Sequence, residues 1–274
     1  MICLICQNKL TLLQKKEYIF FKCNHCKSIY KGFSCLKNFI SNSEEYNTIT
    51  NEEYFDNNVK AFLSNPIMDI TRKYINNKSK LLDIGCSNGA FLEALKRYQM
   101  NNVYGIDIQK DTVQFAKTKK LNCYYGSFPD ELPLELDKKY NIITSFENIY
   151  YMESLLDFFD KSFQLLEKNG KIILKFNQSS SSYYFNYPYH IRVGNFNNFI
   201  SLETIHFLAI KYNFKILETI AFDNNHITNY LGYSSWKTKP KKNISFFLRV
   251  VNKISKWIIP INYADKILVV LEKN

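Results

Sequence analysis

The stretch LLDIGCSNGAF, residues 81–91, decides how the chain is read. An apolar run carries one acid near its end, Asp83, and then passes through Gly85 and Gly89 into a second apolar run. That is the pattern of a buried strand turning into a helix, with glycines where the backbone must bend sharply or approach a ligand closely. The next strand candidate, VYGID at 103–107, ends on Asp107, eighteen residues beyond Gly89. A carboxylate at the end of a second strand can accept both hydroxyls of a ribose. A glycine turn flanked by Asp83 and Asp107 therefore points to an adenosine-bearing ligand. A dinucleotide would call for glycines at 85, 87 and 90, where the chain has Gly85, Ser87 and Ala90, so that fingerprint fails twice. Asp83 facing the turn also suits a cationic amino group and sits poorly beside a pyrophosphate.

Outward from this centre, short apolar runs alternate with longer amphipathic ones. The pattern predicts strands at 80–85, 103–107, 122–125, 140–145, 171–176, 215–222 and 267–272, and helices near 89–98, 111–119, 153–167 and 202–212. Alternation of this kind predicts an α/β, doubly wound, mostly parallel sheet whose ligand lies at the carboxyl ends of the strands. Upstream, Thr50-x-x-Glu53 reads as a capping box opening a helix over about 52–76, after a polar linker.

The first 40 residues hold Cys3-x2-Cys6 and Cys23-x2-Cys26 with sixteen residues between the pairs. Two tight turns, each offering two thiolates and joined by a hairpin-length spacer, form a closed tetrahedral zinc site. A closed site leaves no open coordination position, so its expected work is folding a segment too small to bury its own core. His25 and Cys35 are at best substitute ligands and otherwise bystanders. The domain layout expected is a zinc ribbon at 1–40, a linker and leading helix at 41–78, and the ligand-binding domain at 79–274.

Composition supports a globular chain: 274 residues, 46% apolar and 22% charged, with 8 Gly and 6 Pro. No apolar run approaches the roughly 20 residues of a membrane-spanning helix, and MICLICQNKL lacks the layout of a signal peptide. The default compartment is the cytoplasm, where seven Cys argue for metal binding, packing or chemistry rather than disulfides. The net charge of +11 resides at the ends: residues 1–45 carry +4, residues 237–274 carry +7, and residues 46–236 are balanced. A deep basic nucleic-acid groove through the centre is not expected, although the terminal segments can still contact phosphate. Residues 243–259, NISFFLRVVNKISKWII, place Arg249, Lys253 and Lys256 on one helical face opposite a broad apolar one. Such a segment either covers the domain or lies on an anionic membrane surface.

With these residues in place, the chain resembles class I S-adenosylmethionine-dependent methyltransferases, in particular the branch with an N-terminal zinc ribbon. The resemblance runs from the Cys pairs to KILVVLEK at 266–273 and implies a seven-stranded Rossmann-like sheet. Of the family motif D/E-x-G-x-G-x-G the chain keeps Asp83, Gly85 and Gly89 and departs at Ser87. The resemblance implies that Asp83 reaches the methionine amino group, that the turn through Cys86 passes under the cofactor, and that Asp107, with Ile108 beside it, holds the ribose. Where family members place an acid for the adenine amine, this chain has Ser127 and Phe128, with Phe128 available to pack on the ring. The family's F-H-V-L-E-H reads Phe146-Glu147-Asn148-Ile149-Tyr150-Tyr151 here, without either histidine. A Pro-x-His element after the fifth strand is matched by Pro188-Tyr189-His190.

For a hydroxyl acceptor the protein must align donor and acceptor and remove a proton. His190 is the first candidate base and Glu147 the second, with Phe146 at the cofactor's edge. Cys86 and Cys123 read as packing residues. The resemblance implies methyl transfer to O or N of a small polar acceptor, such as a sugar or surface-polysaccharide precursor. The alternatives are an RNA methyltransferase docked through the ribbon and a non-catalytic zinc-ribbon adaptor.

Overall fold

A computed structural model describes residues 1–15, 18–31, 49–179, 198–221, 264 and 266–274. His190, the 243–259 segment, Cys35 and His226 lie outside them. None of the described helices is long and apolar enough to cross a membrane.

The cysteine-bearing segment folds as a hairpin of β1 (Leu10–Lys15) and β2 (Tyr18–Cys23), extended by β3 (Ile29–Lys31). The register Leu10↔Cys23 places the second cysteine pair beside the first. The expected hairpin is therefore present, but it does not stand apart. β3 pairs with β9 (Asn198–Phe199), so the fourth strand of the ribbon sheet comes from far along the chain. Phe20 meets Phe199 edge-on at 5.6 Å, and Cys3, Ile5, Phe20, Cys23 and Cys26 share one buried cluster with residues of the main domain.

The leading helix is divided in two. α1 (Glu52–Leu63) is capped by Asn51, whose side chain accepts from the Glu53 and Tyr54 amides at 2.8 and 3.3 Å. The Thr50-x-x-Glu53 box is thus displaced by one residue, in line with Asn being the stronger N-cap. The helix expected to run on to residue 76 stops at Ser64. Pro66 cannot continue it, and Asn65 caps a second helix, α2 (Pro66–Tyr74), with Pro66 in the first turn, where no amide partner is needed.

The main sheet contains β4 (Leu81–Ile84), β5 (Val103–Asp107), β6 (Asn122–Tyr125), β7 (Tyr140–Phe146), β8 (Leu166–Asn177), β10 (Phe214–Ala221) and β11 (Lys266–Lys273). Its strand order is β10-β11-β8-β7-β4-β5-β6. The pairs from β8 to β6 are parallel, while β11 runs antiparallel to both β8 and β10. This is the seven-stranded, mostly parallel arrangement of a Rossmann-like methyltransferase. The remaining helices are α3 (Ala90–Arg97), α4 (Lys110–Thr118), α5 (Leu155–Leu165) and α6 (Leu202–Lys211).

Alternation along the strands divides the core between two faces: Ile172, Leu174 and Phe176 of β8 join one cluster and Ile173 the other. Burial on both faces is why the central strands read as continuous apolar runs. Strand order reverses at β4, since the chain proceeds from β4 to β5 and β6 on one side and then crosses to β7 on the other. That reversal opens a crevice at the carboxyl ends of β4, β5 and β7.

Candidate active site

The turn after β4 is held from beneath by β5, because the Gly85 and Cys86 amides both donate to the Ile106 carbonyl, at 2.9 and 3.1 Å. The bend needs left-handed backbone three times in five residues, at Gly85 (φ +81°), Ser87 (φ +49°) and Gly89 (φ +78°). At Gly85 a methyl group would also lie 2.5 Å from the Asn148 side chain, and at Gly89 one would lie 2.6 Å from Leu121. Glycine is thus required at both for conformation and for space. Ser87, the departure from the family motif, is tolerated with its amide donating to Asp107 Oδ2 at 2.8 Å.

Asp107 binds the turn and the next helix together, since its other oxygen accepts from the Gln109 amide at 2.9 Å. Burial pushes its carboxyl up, and the two amides oppose that shift. Asp83 is only 4% exposed, and Thr144 Oγ1 of β7 donates to its Oδ1 at 2.6 Å. Burial pushes Asp83 up to about 7, against the Thr144 hydrogen bond and with the Asp107 charge adding to the rise. A buried acid raised further by a neighbouring acid at a strand edge is a place where a cationic group is stabilised. A sulfonium ligand that also bears an ammonium group supplies such a charge. Ile108, 61% exposed beside Asp107, offers an open apolar side chain for the nucleoside.

The other expected contacts divide. Cys86 turns its thiol into the protein, where a methyl group on Gly105 would lie 2.5 Å from its Sγ; its link to the turn is through the main chain. Phe146 packs edge-on to Phe91 at 5.0 Å and keeps a partly open face. Ser127 is half-buried. Phe128 is 5% exposed, with its ring against Phe158 at 5.6 Å, so the ring belongs to the core rather than to an open stacking surface. Glu147 sits in the left-handed region (φ +57°), with Lys175 Nζ and Lys266 Nζ at 2.8 and 2.9 Å from Oε1 and the Tyr150 hydroxyl donating to Oε2 at 3.0 Å. Burial pushes its carboxyl up, but the two lysines outweigh burial and hold it below its ordinary value.

Three polar residues here escaped the sequence reading: Thr144, Asn148 and Asn88. Asn148 Nδ2 reaches the Ile84 carbonyl at 3.3 Å and roofs Gly85. Asn88 accepts from the Ala90 amide at 3.2 Å and donates to the Ile49 carbonyl at 2.8 Å, joining the segment before α1 to the glycine turn. Only Asn88 had a signal, an Asn just before a helix.

In the ribbon, the ligand atoms of Cys3, Cys6, Cys23 and Cys26 all lie within 4.8 Å of one another. Cys3 and Cys26 are 3.5 Å apart, and Cys6 and Cys23 3.4 Å. Metal–sulfur bonds of about 2.3 Å to a tetrahedral ion place sulfurs about 3.8 Å apart, a spacing within the range this cluster spans. The residues that follow each pair, Gln7 and Lys27, are both left-handed (φ +62°), which shapes the two turns alike. The Cys3 thiol is pulled down to about 3, first by the Cys26 hydrogen bond, against burial and with help from Ser28 and Tyr30.

The strand order and the acid-flanked turn define a class I S-adenosylmethionine-dependent methyltransferase. The family described as "Methyltransferase domain" matches residues 52–219, well over half of the chain, and the chain belongs to that family. The Fcf1 family also matches residues 6–77, a span that cuts across the ribbon and both leading helices and covers too little of the chain to assign it. Over 111 residues the chain is 34% identical to the ubiquinone biosynthesis O-methyltransferase of Pelagibacter ubique, covering 39% of this chain and 45% of that one. The chain therefore spans under half the length of that curated relative. Among solved structures it is similar to a complex between the Haloferax volcanii Trm112 methyltransferase activator and a methyltransferase (TM-score 0.59, 13% identity, 83% of this chain and 97% of that one). It is also similar to a SAM-dependent methyltransferase from Archaeoglobus fulgidus (TM-score 0.55, 19% identity, 76% and 92%). At these identities the likeness is one of fold.

Gly85→Ala is expected to lower stability by about 1–3 kcal/mol. Adding Asn148→Ala should restore part of the loss by removing the clash while leaving the backbone cost. Urea unfolding of the two single variants and the double variant measures the coupling; additive effects would show that Asn148 does not crowd position 85.

Proposed function

We propose that the protein moves the methyl group of S-adenosylmethionine to O or N of a small polar acceptor, a sugar or surface-polysaccharide precursor. The observation that carries the cofactor half is the acid pair Asp83 and Asp107 across the left-handed turn. Asp83 meets the methionine ammonium, Asp107 accepts the ribose hydroxyls, and Ile108 and Ser127 border the adenine. The cofactor supplies an electrophilic methyl carbon. The chain's own work is to orient it, to bring the acceptor in line and to take the acceptor's proton. His190 is the proposed base, suited by an unperturbed pKa of about 6.5. Glu147, held ionised by two lysines, is a weaker proton acceptor than a free carboxylate and serves better as an organiser of charge. The O-methyltransferase of Pelagibacter ubique lends support for a small-molecule acceptor. The four thiolates are proposed to hold one structural zinc ion, favoured by an all-sulfur donor set in a closed shell.

A second reading, methylation of RNA docked by the ribbon, draws on the +4 charge of residues 1–45. Labelled S-adenosylmethionine offered with a panel of sugar nucleotides and sugar phosphates, and separately with structured RNA, decides between the two. Transfer to a sugar is expected, and His190→Ala should lose most of that transfer while keeping cofactor affinity. Transfer to RNA alone would replace this reading with the second.

Asp83 also gives a pH dependence. It is protonated below about 7 in the free protein, so binding a cation must release its proton. Apparent affinity for S-adenosylmethionine should fall by up to about tenfold per pH unit below that point and level off above it. By the same linkage the unliganded protein should lose stability as pH rises from about 4 to about 7, because the unfolded carboxyl ionises first. Calorimetry between pH 5 and 7.5 on the intact chain and Asp83→Asn checks both, the variant losing the slope.

Metal analysis of the purified chain should find about one zinc per molecule. Cys6→Ser and Cys23→Ser should each lose it and loosen the ribbon, as read by limited proteolysis.

A further inference from the structure

The four sulfurs of the ribbon are the same chemical group in unequal surroundings. Cys3, Cys23 and Cys26 are buried, none more than 1% exposed, whereas Cys6 is half-buried. Two hydroxyls stand over one side of the cluster. Ser28 Oγ lies 3.1 Å from the Cys26 sulfur and 3.4 Å from that of Cys3, and the Tyr30 hydroxyl lies 3.3 Å from Cys3. Each hydroxyl has a single proton, and a metal-bound thiolate has none. In the four-thiolate state Ser28 therefore gives its proton to Cys26, the nearer sulfur, and Tyr30 gives its own to Cys3. The two hydroxyl oxygens are also 3.2 Å apart, but a bond to an anionic sulfur is the stronger choice for both protons. Ser28 is 3% exposed, which keeps water from competing.

Main-chain amides favour the thiolate at the same three buried sulfurs: that of Cys6 at Cys3, those of His25 and Cys26 at Cys23, and that of Ser28 at Cys26. Among the described residues, the donor to the Cys6 sulfur from outside the cluster is the side chain of exposed Asn8, at 3.5 Å, which also donates to the Cys6 carbonyl at 3.2 Å. The hydroxyls are fixed from the side of the main domain. Tyr30 pairs with Asn198 of β9, and Thr204 of α6 donates to the Cys26 carbonyl. A hydrogen bond that stabilises a thiolate also makes its sulfur a weaker nucleophile.

We infer that Ser28 and Tyr30 form a hydroxyl clamp on the Cys26 and Cys3 sulfurs that leaves Cys6 as the reactive ligand, a modification site through which a soft carbon electrophile opens the ribbon and releases its metal. In that step the Cys6 sulfur turns the electron pair that bound the metal toward the electrophilic carbon. A sulfur–carbon bond forms, the bond from that carbon to its leaving group breaks, and the leaving group departs as an anion with the pair. The neutral thioether no longer serves as a thiolate ligand, so the ion is left with three sulfurs and is lost. Ser28 and Tyr30 are positioning residues, since they act through the sulfurs. The inference rests on the four-thiolate zinc reading and adds to it an order of reactivity among the ligands.

The test uses the full chain loaded with about one zinc ion per molecule, and iodomethane, small enough to enter a packed site, as the electrophile. A chromogenic chelator follows zinc release, and peptide mass spectrometry at short times follows methylation of each of the four cysteines. In the intact chain Cys6 is expected to react at least about tenfold faster than Cys3, Cys23 or Cys26, with zinc released at the same rate. Ser28→Ala should keep the metal and speed methylation of Cys26 by about fivefold or more, Tyr30→Phe should do the same at Cys3, and Cys6 should be unchanged in both. A merely structural role would loosen the ribbon and speed all four sulfurs together, which would overturn the clamp. So would equal rates in the intact chain, a buried cysteine that reacts before Cys6, or clamped sulfurs that react no faster in the variants. If Ser28→Ala does not fold, Tyr30→Phe, which keeps the ring, decides by the same criteria. Metal analysis before methylation tells the two readings apart: a chain that binds no zinc defeats the four-thiolate reading itself and the clamp with it.

Discussion

Two acids held at the ends of neighbouring parallel strands, both largely removed from water, are the constraint from which the rest of the site follows. Desolvation alone would drive each toward its neutral form, and the charge of Asp107 makes that of Asp83 harder to keep. The structure answers differently at the two positions. Asp107 receives two backbone amides, from Ser87 and Gln109, and so becomes the fastening between the glycine turn, β5 and α4. Asp83 receives only a neutral hydroxyl, from Thr144, and remains poised near neutrality. The difference makes one acid a structural brace that still faces the ligand and the other a group whose ionisation waits for a cation.

The turn between them is costly, and its cost is distributed. Left-handed backbone at Gly85, Ser87 and Gly89 bends the chain so that the Gly85, Cys86 and Ser87 amides turn onto Ile106 and Asp107 of β5. Ile106 and Asp107 below, and Asn148 above, hold that shape through hydrogen bonds to the main chain. Asn88 extends the same network to Ile49, so the segment leading into α1 is tied to the cofactor turn itself.

The ribbon is part of the enzyme's body rather than an appended module. β9 completes its sheet, Thr204 Oγ1 donates to the Cys26 carbonyl at 2.9 Å, and Lys211 Nζ reaches the Ile5 carbonyl at 3.4 Å. His25, a bystander to the cysteines, packs edge-on to Phe207 at 5.5 Å. A segment too small to bury its own apolar surface borrows α6 and β9 to do so. β9 immediately precedes α6, so one short piece of chain serves both the ribbon's sheet and the helix that covers it.

The sequence alone determined the sheet, the glycine turn, Asp83, Asp107 and the cysteine quartet, because each depends on local pattern: apolar periodicity, a residue type that tolerates left-handed backbone, or ligand spacing. It misplaced what depends on competition between neighbours, such as Asn51 displacing Thr50 as cap and Pro66 dividing one helix into two. Only the tertiary structure decided the rest. Thr144 on Asp83, Asn148 over Gly85, the ribbon's pairing with β9 and the meeting of Lys175 and Lys266 on Glu147 join residues from 61 to well over a hundred positions apart. No local pattern encodes such meetings; they exist because strand order and strand direction bring distant residues to one edge of one sheet.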